Sequence, residues 1–203
     1  QILLEENEDL PSDMRHDLLS QIDGEVLRAQ RIVGTLLDFA RERQYERGLA
    51  PLRPLVDEVL QLTRNLTPTD AIISIDIADK LQIDVDRQRF QQVLINLLQN
   101  AAGVIGSGGQ IRIAAHRENR AGDEGTVITV ADNGPGIAPE NLTRIFDPFY
   151  STKPVGKGTG LGLFIVHEIV SQHGGTVSAE SEPGHGCCFS VHIPDRKNTE
   201  TPT

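Results

Sequence analysis

Glycine occupies every second position from Gly156 to Gly162, and an amphipathic helical pattern follows at once. Because glycine loses more backbone freedom on folding than any other residue, this cluster indicates a requirement of the backbone itself. A phosphate chain is the usual reason, since it needs close approach of main-chain amides and is attracted to the positive end of a helix dipole. A flexible surface linker is the alternative, and the cluster alone does not decide between the two.

Two well-known phosphate loops do not fit this stretch. The dinucleotide fingerprint G-x-G-x-x-G requires glycine at positions that Leu161 and Leu163 occupy. A P-loop requires Ser or Thr after its Gly-Lys pair, whereas Gly156-Lys157 is followed by Gly158. Any phosphate site here therefore belongs to another class of fold.

Composition limits the remaining possibilities. With 203 residues, 38% of them apolar, the chain is long enough for one compact domain and an additional element. The net charge of -10 disfavours nucleic acid as a partner. No apolar run approaches a membrane span and no signal peptide opens the chain, so we predict a soluble, cytoplasmic part without membrane contact. Cys187 and Cys188 are the only cysteines, which favours a reducing compartment, and the start at Gln1 suggests a fragment.

The stretch before Gly48 has the pattern of a dimerising helix. Apolar residues recur at spacings of three and four, which predicts one long helix that needs a helical partner. Residues 1–8 are predicted to end a preceding helix that runs antiparallel to it. Two such hairpins bury their stripes by forming a dimeric four-helix bundle. The stripe consists of Leu19, Ile22, Val26, Ala29, Val33, Leu36 and Ala40.

Downstream of this stretch, helical and strand patterns alternate. Helices are predicted at 51–66, 87–105, 140–145 and 160–173. Strands are predicted at AIISIDI, LQIDV, QIRIAAHRE, TVITVADN, TVSAES and CCFSVHIP, with a polar turn at NRAGDEG. Helices on one side of a largely antiparallel or mixed sheet make a two-layer α/β sandwich. The polar tail after Pro194 is predicted to be disordered.

Three further motifs precede the glycine cluster, and each has an ordinary structural explanation as well. Asn96 and Asn100 are four residues apart and share a helix face, where neighbours could simply satisfy both amides. In ADNGPGI a strand delivers Asp132 to a tight glycine turn, where an aspartate is also a common turn-capping residue. FDPFYSTKP is rich in aromatic residues and could be no more than an apolar surface patch.

In their order along the chain, NLLQNAA, DNGPG, FDPFYSTK and GKGTGLGL resemble the N, G1, F and G2 boxes of sensor histidine kinases. These kinases share an ATPase superfamily with type II topoisomerases, heat-shock chaperones and mismatch-repair proteins. The resemblance implies an α+β fold with a catalytic ATP-binding domain over residues 49–195. RAQRIVGTLLDFAR resembles the second helix of the dimerisation and histidine-phosphotransfer region, which assigns 1–48 to that region and leaves 196–203 as a disordered tail.

The resemblance also implies ligands and the residues that bind them. Asp132 would accept a hydrogen bond from the adenine amine, which selects ATP over GTP, and Asn100 with Asn96 would hold Mg²⁺. Lys153 and Lys157 would neutralise the phosphates under a lid that includes Phe149 and Tyr150. The implied nucleotide-binding residues are Asn96, Asn100, Asp132, Gly134, Gly136, Ile137, Phe149, Tyr150, Lys153, Lys157, Gly158, Thr159, Gly160, Leu161, Gly162 and Leu163.

Asn96 separates the enzyme classes within the superfamily. Members that hydrolyse ATP carry a glutamate at this place, and an amide has no basic site that can take a proton from water. The resemblance therefore implies a protein-histidine kinase that passes its phosphoryl group on to the receiver domain of a response regulator, with a membrane sensor upstream as an option. A regulatory pseudokinase and an ATPase acting as a conformational clamp are the alternatives. Gly103 and Cys187 depart from the pattern, where many sensor kinases carry lysine and threonine.

His16 in MRHDLLSQ begins like the acceptor box of sensor kinases, but the resemblance ends after three residues. That box generally carries proline five residues after the histidine, where this chain has Gln21. The apolar stripe also runs from His16 into the second helix without room for a hairpin turn. We therefore predict that His16 is a solvated helix residue, that the acceptor histidine lies upstream, and that the chain alone does not autophosphorylate.

Overall fold

The computed structural model describes residues 11, 13–24, 26, 29, 46–120, 123–153 and 158–196. The chain divides into two compact units. One combines Gln1–Gln44 with Ser151–Thr159, and the other combines Tyr45–Tyr150 with Gly160–Thr203. The second unit begins a few residues before the predicted boundary, because Arg47 and Gly48 already form a strand of the sandwich.

The second unit alternates strands and helices much as the pattern predicts. Its helices are α1 (Leu52–Thr63), followed by a 3₁₀ turn (Arg64–Leu66), then α2 (Arg87–Ala102), α3 (Pro139–Leu142) and α4 (Gly162–Gln172). Its strands are β1 (Arg47–Pro51), β2 (Ile72–Ile77), β3 (Gln82–Asp86), β4 (Gln110–Arg120), β5 (Asp123–Asp132), β6 (Thr176–Ser181) and β7 (Cys187–Pro194).

The strands form a mixed five-stranded sheet and a separate pair. The order in the large sheet is β2-β4-β5-β7-β6, with β2 parallel to β4 and the other neighbours antiparallel. The crossover from β2 to β4 includes α2, as parallel neighbours require a long connection. β1 and β3 form an antiparallel pair of their own, and β1 is a strand that the sequence pattern did not predict.

The core lies between one face of the large sheet and the helices. Alternating side chains of the strands point to this face, where they meet the apolar sides of α1, α2 and α4. This confirms the predicted two-layer sandwich. The most deeply buried members include Leu52, Leu55, Phe90, Leu94, Leu97, Ile111, Ile113, Ile128, Ile169 and Ile193.

Several helix boundaries differ from the predicted ones. The helix α1 ends at Thr63, where the 3₁₀ turn continues to Leu66, and α3 ends at Leu142 rather than at Ile145. Two further differences have local reasons. The helix α2 ends at Ala102 rather than at Ile105, with Gly103 as its C-cap. The helix α4 begins at Gly162 rather than at Gly160, because Gly160 has a φ of 68°, which a right-handed helix does not accommodate.

The N-terminal helix, residues 13–24 with 26 and 29, exposes the apolar stripe over its described part. Leu19, Ile22 and Val26 each leave about half of their surface exposed, at 54%, 47% and 49%. The stripe residues after Ala29, the preceding helix at 1–8 and the tail from Lys197 lie outside the described residues. None of the helices in the described part of the chain is both long and apolar enough to span a bilayer.

His173 joins the end of α4 to the start of α2. Its Nε2 accepts a hydrogen bond from the Asp86 backbone N–H at 2.9 Å, so its Nδ1 carries the proton and donates to the Ile169 carbonyl at 2.7 Å. The side chain is almost fully buried, and burial lowers the pKa of His173, with Arg47 acting in the same direction. The hydrogen bond to the Ile169 carbonyl opposes this shift most, and Asp86 and Asp84 add to that opposition without reversing the shift. The histidine is thus a neutral structural link between the two helices.

This link makes the stability of the fold depend on pH. A histidine whose pKa is lowered in the folded protein stabilises the fold fully above its ordinary pKa of 6.5. This stabilisation is lost progressively as the pH falls below 6.5. We expect urea unfolding to give a smaller free energy at pH 5.5 than at pH 7.5. His173→Asn should be less stable at pH 7.5 but should show a weaker pH dependence. The exposed His116, replaced by Gln, is the control, and an unchanged pH dependence in His173→Asn would contradict this role.

Candidate functional site

Asp132 ends β5 on the face of the sheet that the helices cover. Its Cα partners on the neighbouring strands are Ile111 and Cys187. The carboxylate accepts hydrogen bonds from the backbone N–H groups of Gly134, at 2.9 Å, and Cys187. Burial raises the pKa of Asp132 and outweighs the opposite effect of these two bonds. A carboxylate can accept about four hydrogen bonds, so this one retains capacity for a donor on a ligand.

The loop after Asp132 and the turn between β6 and β7 approach each other at backbone distance. The Asp132 loop is residues 133–138, and the β6–β7 turn is residues 182–186. Gly136 has a φ of 74°, and a Cβ there would stand 2.1 Å from the Glu182 carbonyl oxygen. Gly186 has a φ of 83°, and a Cβ there would stand 1.9 Å from the Asp132 carbonyl oxygen. Both positions therefore require glycine, for conformation and for space.

Hydrogen bonds hold the same two segments together. The Ser181 hydroxyl accepts from the Ile137 N–H at 2.8 Å and donates to the Gly186 carbonyl at 2.6 Å. The Gly184 N–H donates to the Pro135 carbonyl at 2.7 Å. Ile137 is one of the residues predicted at the site, and its N–H helps to hold the Asp132 loop against Ser181. Ser181 was not predicted as a site residue, because a serine at the end of a strand with alternating pattern belongs to no motif that indicates a functional role.

A cavity of about 280 Å³ opens beside Asp132. Pockets that bury whole ligands usually measure about 300–1,000 Å³, so this one suits part of a ligand. Three of its lining side chains are carboxylates, which disfavours an anionic group inside it. Burial raises the pKa of the Cys187 thiol to about 12, so the thiol is neutral and a weak donor. The lining residues are Ala131, Asp132, Glu180, Ser181, Glu182, His185, Gly186, Cys187 and Cys188.

The two asparagines lie on α2 beside the start of α4. The Asn96 side-chain nitrogen donates to the Gln92 carbonyl at 2.9 Å, so its oxygen is left for another partner. That oxygen is 3.1 Å from the position of a Cβ on Gly162, which places it against the first turn of α4. Asn100 follows one turn later on the same face and is half-buried. Two amide oxygens on one face fit a hard cation such as Mg²⁺, which prefers oxygen ligands.

The residues after α2 connect this pair with the Asp132 end of the site. A Cβ on Gly134 would stand 2.9 Å from the Val104 side chain and 2.8 Å from the Asp132 carboxylate. The end of the asparagine-bearing segment therefore packs on the Asp132 loop. Gly134 allows this approach because it has no side chain, and the structure brings both motifs to one end of the sandwich.

The start of α4 presents backbone amides. Leu161 is its N-cap residue and makes no side-chain capping hydrogen bond to the helix. The N-terminus of a helix carries the positive end of the helix dipole, which attracts anions. Leu161 is 2% exposed, and Leu163 packs against the core, so both anchor the helix with their side chains. A Cβ on Gly160 would stand 2.4 Å from the Phe149 carbonyl carbon. The backbones of Gly160 and Phe149 are therefore in close contact, and this contact requires glycine.

The aromatic residues of the FDPFY stretch have different surroundings. The Tyr150 hydroxyl donates to the Asn141 side-chain oxygen at 2.5 Å, and the Arg144 guanidinium lies 4.4 Å from the centre of its ring. Tyr150 therefore contacts α3 and the turn after it. Phe149 is 57% exposed and has a positive φ of 65°, which is rare for a residue with a side chain.

The remaining predicted residues belong to the first unit. A Cβ on Gly158 would stand 2.9 Å from the Ser151 hydroxyl and 3.5 Å from Cδ of Lys153, so glycine and lysine are neighbours there. The Ser151 hydroxyl accepts a hydrogen bond from the Lys153 N–H at 3.2 Å. Thr159 is half-buried, and Lys157 lies outside the described residues.

Comparison with known proteins bears on this geometry. The sequence profile of the histidine kinase-, DNA gyrase B-, and HSP90-like ATPase family matches residues 85–197. The sensor histidine kinase ZraS of Klebsiella oxytoca is 38% identical over 181 residues, which are 88% of this chain and 38% of the relative. The chain therefore spans little more than a third of that relative's length.

Two solved structures of similar fold contain a bound molecule. The histidine kinase ThkA in complex with the response regulator protein TrrA has 27% identity and a TM-score of 0.71. That match covers 96% of this chain and 56% of ThkA. Full-length ShkA in complex with AMPPNP has 26% identity and a TM-score of 0.70, over 93% of this chain and 40% of ShkA.

Proposed function

The chain belongs to the family of histidine kinase-, DNA gyrase B-, and HSP90-like ATPases, and from this premise we propose that it is the ATP-binding catalytic core of a sensor histidine kinase. One observation carries the proposal most directly. A half-buried Asp132 with unused acceptor capacity shares one end of the sandwich with the asparagine-bearing segment of α2. The similarity to ZraS supports the kinase class over other members of the family.

The end of the sheet at Asp132, where the cavity opens, suits the adenine base. The exocyclic amine of adenine donates a hydrogen bond to the carboxylate, whereas guanine presents a carbonyl oxygen there, and two acceptors would face each other. The carboxylates of Glu180 and Glu182 on the same cavity repel phosphate. The base therefore enters this end, and the triphosphate points towards the start of α4.

The start of α4 and the asparagine pair suit the phosphate end. First-turn amides of α4 bind phosphate oxygens, and Lys153 with Lys157 neutralises their charge. Asn96 and Asn100 would hold a Mg²⁺ ion through their amide oxygens, which are ligands of the kind this ion prefers. Bound there, Mg²⁺ would supply charge neutralisation for the triphosphate. Phe149 and Tyr150 directly precede Ser151 in the FDPFYSTK motif, which is our candidate for the start of a lid.

Asn96 favours transfer of the phosphoryl group over hydrolysis. An amide cannot act as a general base, so water next to the γ-phosphate is not activated by this residue. Asn96 disfavours the conformational clamp, which would hydrolyse ATP. The four motif boxes in their order favour a working pocket over a pseudokinase. The phosphoryl group therefore passes to a histidine upstream of this chain, and from there to an aspartate on the receiver domain of a response regulator. ThkA, similar in fold, forms a complex with such a regulator.

Assembly and location follow the same proposal. The exposed Leu19, Ile22 and Val26 belong to the stripe that pairs two copies into a four-helix bundle. Residues 1–48 form this helical region, 49–195 form the catalytic domain and 196–203 form a tail. Cys187 and Cys188 are free thiols, which agrees with a cytoplasmic core, and the unmatched length of ZraS leaves room for a membrane sensor in the whole protein.

The test is labelling with γ-³²P-ATP and Mg²⁺. A longer form that includes the residues before Gln1 should acquire acid-labile, alkali-stable label, as phosphohistidine does. The chain alone should bind Mg-ATP without acquiring such label, and His16→Gln should change neither result. Label on the chain that disappears in His16→Gln would make His16 the acceptor. The absence of label from the longer form would overturn the kinase proposal.

A further inference from the structure

We propose that Ser181 is a positioning residue for nucleotide binding, which ties the Asp132 loop to the β6–β7 turn and sets the affinity for ATP through Asp132. This inference rests on the proposed function, because its ligand is the adenine nucleotide. It goes further in assigning a role to a residue that belongs to none of the recognised motifs and that acts through its neighbours.

The position of Ser181 in the sheet explains why it acts indirectly. Asp132 and Ser181 are both Cα partners of Cys187, so the three residues lie side by side on β5, β7 and β6. Neighbouring strands are about 4.8 Å apart, which puts Ser181 roughly 10 Å from Asp132 along the sheet. A hydroxyl at that distance does not share the hydrogen bond that Asp132 offers to a base.

The first connection between the two residues runs through a single peptide group. The Ser181 hydroxyl donates to the Gly186 carbonyl at 2.6 Å. The N–H of the same peptide belongs to Cys187 and donates to the Asp132 carboxylate. A hydrogen bond to the carbonyl polarises the peptide and strengthens the bond that its N–H donates. Ser181 thereby stabilises the carboxylate and fixes its direction.

The second connection runs through the Asp132 loop. The Ser181 hydroxyl accepts the Ile137 N–H at 2.8 Å, at the far end of the loop. At the near end, the Gly134 N–H donates to the Asp132 carboxylate. One hydroxyl therefore uses its donor and an acceptor position to fix both backbone segments that contact Asp132. Alanine at position 181 would leave the Ile137 N–H and the Gly186 carbonyl without this partner.

The remaining ties indicate that the fold survives without Ser181. The Gly184 N–H still donates to the Pro135 carbonyl, and β6 and β7 remain paired over their length. Threonine keeps a hydroxyl at the same position and is favoured in strands, so it is the conservative replacement. Ser178 lies three residues before Ser181 on the same strand, so its side chain points to the opposite face of the sheet, where it is exposed. Ser178→Ala is therefore the matched control.

The experiment is calorimetric titration of the chain with Mg-ATP, with thermal unfolding of every variant. We expect Ser181→Ala to raise the Kd roughly three- to tenfold, because two backbone groups lose their partner. Ser181→Thr should stay within about twofold of the wild type, and Ser178→Ala should match it. When Asp132→Ala is already present, Ser181→Ala should raise the Kd by less than about twofold. The effects of two substitutions that act through one contact are not additive.

Each other result counts against the inference. An unchanged Kd for Ser181→Ala, an equal loss in Ser178→Ala or no rescue by threonine would exclude the positioning role. Full additivity with Asp132→Ala, or a Ser181→Ala variant that is unfolded at the titration temperature, would make Ser181 a residue of the fold alone. Failure of the wild type to bind Mg-ATP would instead overturn the proposed function, and this inference with it.

Discussion

Replacing Asp132 with alanine is expected to weaken Mg-ATP binding roughly 5- to 150-fold, which corresponds to about 1–3 kcal/mol for a buried donor left without its partner. In the proposed complex that donor is the adenine amine, which faces the half-buried Asp132 carboxylate. The variant should also discriminate less between ATP and GTP, because the carboxylate that repels the guanine carbonyl is gone. Calorimetric titration of the wild type and the variant with both nucleotides measures the two effects together.

Asp76→Ala is the matched control for this experiment. Asp76 lies on β2 of the same sheet and leaves 74% of its side chain exposed, beside Arg112. The substitution removes the same charge at the other side of the sheet, so a general effect of net charge on a polyanionic ligand would appear in both variants. Equal affinities of wild type and Asp132→Ala for ATP would remove Asp132 from the base site.

The parts of the site that the sequence predicted are those whose signal is local. The i to i+4 spacing puts Asn96 and Asn100 on one face of α2 whatever the rest of the fold does. Likewise, the alternation in TVITVAD predicts a strand, and the glycines after it predict where the strand must release Asp132. These features depend on neighbours within a few residues, so pattern and structure agree.

The parts that the sequence did not predict depend on contacts between distant segments. β1 is a short RGLAP stretch with one buried residue, Ala50, and it becomes a strand only by pairing with β3 more than thirty residues later. Ser181 resembles any polar strand end until the Asp132 loop packs on it. The contacts of Tyr150 with Asn141 and Arg144 could not be predicted either, because its own motif does not specify the positions of those two residues.

Two glycines of the β6–β7 turn provide the second large effect, because they share a backbone conformation but not their surroundings. Gly184 and Gly186 have φ values of 84° and 83°. A Cβ on Gly184 would meet nothing within 4 Å, whereas one on Gly186 would stand 1.9 Å from the Asp132 carbonyl oxygen. Alanine at either position carries the left-handed cost of about 1–2 kcal/mol, but only Gly186→Ala adds a clash with the backbone.

We therefore expect Gly184→Ala to lower the free energy of unfolding by about 1–2 kcal/mol and Gly186→Ala to lower it by about 4 kcal/mol or more. A small shift cannot relieve the clash, because the Asp132 carbonyl belongs to β5. Moving this carbonyl would break the pairing of β5 with β7 next to the proposed base site. Out of a total stability of about 5–15 kcal/mol, such a loss removes much of the native population or displaces β7. Urea unfolding measures the two variants, and titration with Mg-ATP should show binding retained in Gly184→Ala and abolished in Gly186→Ala. Losses that agree within about 0.5 kcal/mol would mean that the backbone conformation alone requires glycine at both positions, and that the close approach of the turn to Asp132 does not constrain the site.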